Sequence, residues 1–304
     1  MTANSPSRPG IRDYGIILVL VAIWGSAFLF IRLALESFPP ATMVFLRLAC
    51  GALVMLGVLL FKRHYLQAVS AKLLIFLVLM ALLGNALPFY TIGWGQQFVS
   101  SGIAGLLMAF VPLSTLFLAH FFLPDEKITA RKLCGFIMGF IGVGVLMAPQ
   151  MQDSDNNLKL YGMLAILIGA LGYSGSNILA KLRPASNDMF TTAVVLTLAC
   201  LMMLPISVTI GDEWMYRPVS MISIVAILFL GVLGAAFATY LYFKVLRSAG
   251  ASFVSQMNYL IPIWALAIGA IFLDEKITLN AILALSLILL GIFIAQTGHS
   301  SATT

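Results

Sequence analysis

Arg47 is a full charge that cannot be moved out of an apolar segment. Only 14 uncharged residues separate it from Lys62. A helix needs about 20 apolar residues to cross hydrocarbon. The helix ending at Lys62 therefore begins earlier, after Pro39-Pro40, and takes Arg47 into the membrane. There a guanidinium costs about 2.5–3.5 kcal/mol at the bilayer centre and less toward the interface. Arg47 lies about seven residues from the nearer end, roughly 10 Å deep by helical rise. Two roles stay open for it: outward snorkelling or a structural pairing with Glu36, and binding of a substrate anion.

Neutral polar and aromatic residues recur at helical spacing in the same apolar runs. Tyr90, Trp94 and Gln97 share one face at i, i+4 and i+7, with Asn85 a little over one turn earlier. Tyr173 and Asn177 are i, i+4 neighbours. Ser252, Ser255, Gln256 and Asn258 precede Pro262. An Asn or Gln without a partner in hydrocarbon loses its hydrogen bonds, so these groups face protein or water. Trp24, Arg47, Asn85, Tyr90, Trp94, Tyr173, Asn177, Tyr240, Gln256 and Asn258 are accordingly the candidate substrate-binding residues. The competing role for each amide is to bridge neighbouring helices, which is common in bundles. Pro112 and Pro262 each remove a helical backbone bond and free a carbonyl four residues earlier, at Met108 and Asn258; both are candidate hinges.

The acidic residues, from Asp13 and Glu36 to Asp274 and Glu275, all fall at helix ends or in loops. Exchange of a proton for a lipophilic cation needs a carboxylate inside the membrane, and the sequence offers none. Cys50, Cys134 and Cys200 lie in apolar runs without metal-ligand spacing and read as small packing residues. No HExxH, GxSxG, Walker or CxxC pattern occurs. The sequence thus gives no catalytic residue, no metal site, no cofactor and no sign of an enzyme.

The elements that must position these residues follow from composition. Residues A, V, I, L, M, F, W, Y and C make up 61% of the 304 and charged residues 9%, where a soluble domain carries roughly 25% charge. Most uncharged stretches fit one crossing and Leu73–Pro124 fits two. Ten helices are predicted, at about 13–34, 41–61, 72–93, 98–122, 128–148, 159–180, 188–210, 218–242, 250–272 and 277–297. With the N-terminus inside, 12 of the 17 Lys and Arg residues collect on the cytoplasmic side, so both termini are expected in the cytoplasm. That topology also accounts for the net charge of +6 without nucleic acid.

The pentapeptide DEKIT occurs at Asp125–Thr129 and again at Asp274–Thr278. Tyr14-Gly15 pairs with Tyr161-Gly162, Leu48-Ala49-Cys50 with Leu198-Ala199-Cys200, and Gly84 and Tyr90 with Gly234 and Tyr240. Pro112 pairs with Pro262 and Gly142 with Gly291; the offset stays between 147 and 150. Five helices per half put the two halves in opposite orientation. The expected fold is an all-α membrane protein of two inverted five-helix repeats, with the substrate site between them near the midplane. The segments are an N-terminal tail 1–13, repeats 14–150 and 158–297, a linker 151–157 and a C-terminal tail 298–304. Gly135 and Gly139 form a GxxxG step, read as packing within the monomer or as the seam of a weak homodimer.

Trp24-Gly25-Ser26, the Pro112 and Pro262 helices and the short acidic-basic turn after each resemble the EamA-type branch of the drug/metabolite transporter superfamily, over about residues 14–297. The resemblance implies an inner-membrane carrier, often an exporter of amino acids or other small metabolites. It also implies a cavity lined by helices 1, 3, 4, 6, 8 and 9, with helices 5 and 10 peripheral. The expected partners are a small-molecule substrate and the lipid bilayer. A sugar-phosphate or nucleotide-sugar exchanger would want several basic residues in the cavity, and only Arg47 is placed for that.

Overall fold

A computed structural model describes residues 9–124, 126–151, 157–210 and 218–296. Residues 1–8 of the tail, Asp125, most of the 151–157 linker, the 211–217 loop and the C-terminal tail lie outside them. The described residues are helical or irregular, with no strand. Among the described residues nine helices are long and apolar enough to cross a membrane: α1 Ile11–Ala34, α2 Pro40–Phe61, α3 Ala71–Gly95, α4 Ser101–Phe122, α5 Ala130–Pro149, α6 Asn157–Leu182, α7 Asp188–Ile210, α8 Met221–Leu246 and α10 Leu279–Gln296. A shorter apolar helix, α9 Met257–Phe272, completes the set. It is shorter than the single helix predicted over 250–272 because the chain turns at Ser255–Gln256, leaving one helical turn at Ala251–Val254.

The helix starts follow local chemistry. Ser70, Ser100 and Ser220 cap α3, α4 and α8, each hydroxyl accepting from the backbone three residues on. Pro40 opens α2, where its missing N–H would have had no partner. Inside the spans regularity fails at matched places. Leu82–Ala86 in α3 and Phe229–Phe237 in α8 are π-helical, with Gly84 and Gly234 at equivalent points. Helix α4 breaks at Ala109–Phe110, and Pro112 sits in the first turn of the segment that follows. Pro262, by contrast, lies inside α9, beyond the break at Ser255–Gln256.

Helix contacts repeat across the halves. Helix α1 packs on α8 and α9, and its counterpart α6 packs on α3 and α4. Helices α2 and α7 pair, as do α5 and α10. Gly135 backs onto the Gly291 carbonyl and Gly139 onto Leu113, so the GxxxG step packs inside the monomer. Leu48, Leu106, Leu107, Leu113, Met163 and Ile166 are fully buried at the centre. Leu53, Leu60, Phe140, Leu201, Val208 and Phe293 are more than half exposed. A bundle that turns large apolar side chains outward on many faces is built for lipid.

Candidate functional site

Arg47 occupies the interior. Helix α2 meets the π-helical segment of α8 at Gly51 and Gly231; a Cβ on Gly231 would stand 2.6 Å from the Arg47 carbonyl. This close approach fixes the backbone that carries the guanidinium. The side chain is 5% exposed, and its charge lies 3.7 Å from the centroid of the Phe89 ring. Phe89 in turn meets Tyr173 edge-on at 6.3 Å. Arg47 Nε has no hydrogen-bond partner. Glu36, the partner weighed from sequence, is exposed and lines a 310 Å³ cleft with Arg32, Gln97, Ser100 and Glu275. Burial removes the snorkelling role and the position of Glu36 removes the pairing role. A cation–π contact supplies about 2 kcal/mol or more when desolvated, which offsets much of the about 2.5–3.5 kcal/mol that an arginine costs in hydrocarbon.

The other candidates divide. Trp24 Nε1 donates to the Gly234 carbonyl at 3.1 Å, and its ring packs on Tyr242, so it ties α1 to the π-helical segment of α8. Asn85 Nδ2 reaches the Met80 carbonyl at 3.5 Å within its own helix. Asn177 Nδ2 donates to Thr115 Oγ1 at 3.4 Å, joining α6 to α4. Trp94 packs edge-on against Phe98, and Tyr90 is half-buried against the core. Gln256 is exposed at the break that precedes α9, with Asn258 half-buried beside it; Tyr240 is 46% exposed. Arg47 and Tyr173 thus meet through Phe89, while the rest line several places along the bundle.

The second DEKIT turn holds a contact that spacing did not point to. Asp274 takes a left-handed backbone conformation, φ 52°, which swings Glu275 against the first turn of α4. Its Oε1 accepts from Ser101 N at 2.6 Å and its Oε2 from Gly102 N at 2.9 Å. A carboxylate there meets unpaired N–H groups and the positive end of the helix dipole. Gly269 leaves the space the carboxylate fills. In the same region Arg32 Nη1 donates to the Gln96 carbonyl at 2.8 Å, and Gln96 Nε2 to the Phe28 carbonyl. The first DEKIT turn behaves differently. Glu126 pairs with Lys181 at 2.7 Å and with Lys132 at 3.5 Å. At the position matching Gly269 stands His120, whose Nδ1 accepts from Ile128 N.

The EamA-like transporter family matches residues 13–148 and 160–297. The chain belongs to that family. The uncharacterized transporter YoaV of Bacillus subtilis (strain 168) is 30% identical over 284 residues, covering 92% of this chain and 94% of the relative. The uncharacterized inner membrane transporter YedA of Escherichia coli (strain K12) is 26% identical over 289 residues, covering 94% and 90%. A protein of Chlamydia muridarum (strain MoPn / Nigg) named S-adenosylmethionine/S-adenosylhomocysteine transporter is 26% identical over 293 residues, covering 91% and 89%. A solved crystal structure shares the fold at a TM-score of 0.61 and 18% identity, covering 95% of this chain and 98% of its own.

Within this EamA-like chain, the two matched segments are the two halves that the helix contacts relate. Phe89, Gln96, Ser174 and Glu275 were missed as site residues. Ser174 links α6 to α4 through Ser114 at 2.7 Å and through the Val111 carbonyl, beside the α4 break. For Glu275 a signal existed, since a glutamate repeated in both turns had a role to explain. For Phe89 none existed, because one more phenylalanine in an apolar run carries no pattern.

Proposed function

We propose that this EamA-like protein is a carrier of the inner (plasma) membrane that exports amino acids or similar small polar metabolites by alternating access. In this reading ten crossings form two inverted five-helix halves and both termini are cytoplasmic. The second DEKIT turn is then external and the first cytoplasmic. The observation that carries the reading is the difference between these two related turns. Glu275 clasps the start of α4, while its counterpart Glu126 pairs with Lys181 and Lys132. Two related halves held in different arrangements are what a protein with two exchangeable states requires. The Chlamydia relative named for S-adenosylmethionine and S-adenosylhomocysteine supports a substrate with an amino-acid moiety, since both molecules carry one.

The clasp gives a test that needs no substrate. Cys50, Cys134 and Cys200 are first replaced by alanine and Ser101, 1% exposed beneath the clasp, by cysteine. An externally added, membrane-impermeant maleimide is expected to label this cysteine slowly. Glu275→Ala removes two charge-assisted hydrogen bonds, and labelling should accelerate about 10-fold or more. Unchanged labelling would remove the clasp from the mechanism.

A further inference from the structure

We infer that Arg47 is the binding point for a carboxylate carried by the substrate, which assigns the cargo to monocarboxylates such as zwitterionic amino acids. The inference rests on the carrier reading and names its substrate class. Arg47 is the only charged side chain among the buried described residues. It forms no ion pair among them, and its Nε is unpartnered. Phe89 covers one face of the guanidinium, and no hydrogen bond among the described residues uses its in-plane Nε–H. The in-plane edge is where two N–H groups match the two oxygens of a carboxylate.

A single buried cation against an aromatic ring suits a singly charged planar anion. A phosphate dianion calls for more basic groups, and the interior supplies none among the described residues. Phe89 and Tyr173 add apolar faces for the rest of a small ligand. The location also fits: Arg47 stands where α2 of one half meets α8 of the other, with α3 and α6 contributing the rings.

The test uses the purified full-length protein. In detergent it is titrated with sodium benzoate and separately with benzamide, which keeps the ring and drops the charge, while thermal unfolding is followed. Benzoate should raise the unfolding temperature and benzamide should not. Arg47→Gln and Arg47→Met should lose the benzoate response, and Arg47→Lys should keep part of it. Without benzoate, Arg47→Met should unfold above wild type, because it removes an unpaired buried charge. If Arg47 instead served to hold the helices together, that variant would unfold lower.

Proteoliposomes loaded with amino acids and their C-terminal amides give the second arm, with efflux followed by mass spectrometry. The acids should leave and the amides should leave about 100-fold more slowly. Equal responses to benzoate and benzamide, a benzoate response kept by Arg47→Gln, or amides leaving as fast as acids would each overturn the proposal. If neither acids nor amides leave but the Arg47-dependent benzoate response stands, the carrier reading falls and the carboxylate site survives. Fast efflux without discrimination does the reverse.

Discussion

At the scale of single residues, charge is placed by compensation. Glu275 and Glu126 occupy the same position in two related turns yet hold different partners, a helix start and a lysine. The neighbours differ: Gly269 opens a cradle beside Glu275, whereas the matching position holds His120, whose Nδ1 accepts from Ile128 N. The Lys181 ammonium, hydrogen-bonded to Glu126, holds its carboxyl below the ordinary range. A depressed folded value means that this contribution to stability is complete above the unfolded value and fades as pH falls through the folded one. The unfolding-temperature difference between wild type and Glu126→Gln should therefore be largest near neutrality and shrink in acid below about pH 4.5. A difference that is flat with pH would show that the ion pair contributes nothing. Arg47 was legible from sequence as a buried charge, because the distance to Lys62 left it nowhere else to go. Its isolation was not, since the position of Glu36 depends on how α1 turns into α2.

At the scale of helices, length and hydropathy made the spans readable, and the irregularities were what escaped. The π-helical segment at Phe229–Phe237 carries no proline to announce it, whereas the one at Leu82–Ala86 has Pro88 just beyond it. Both arise where glycines let a neighbouring helix come close, and a single sequence does not show which neighbour that is. One break stands just before Pro112, and the chain yields again at Ser255–Gln256, which leaves Pro262 within α9.

The α2–α8 contact at Gly231 gives a sharp expectation. Gly231→Ala would set a Cβ 2.5 Å from that of Cys50 and should destabilise by about 1–3 kcal/mol through overpacking. Gly57→Ala is the control, because nothing lies within 4 Å of its added Cβ. It should be neutral or stabilise by up to roughly 1 kcal/mol through helix propensity. Thermal unfolding of both variants in detergent checks the pair; equal effects would mean that the close contact does not set stability.

At the scale of the molecule, duplication was the most legible feature, because matched residues from Tyr14 to Gly291 keep an offset between 147 and 150. The contacts repeat it: α1 on α8 and α9, α6 on α3 and α4. What stayed hidden is the difference between the halves, which the identical DEKIT pentapeptides conceal and their surroundings impose. That difference is the basis for reading the molecule as a device with two states rather than a pore. In a carrier, opening one side must close the other. The direct measurement labels both sides of one protein. In the proposed orientation Ser101→Cys reports from outside and Asn177→Cys, on an exposed position of α6, from the cytoplasmic side in inverted vesicles. With Glu275→Ala, external labelling at Ser101→Cys should rise while cytoplasmic labelling at Asn177→Cys falls by a comparable factor. Labelling that rises at both positions, or changes at one with no response at the other, would contradict alternating access.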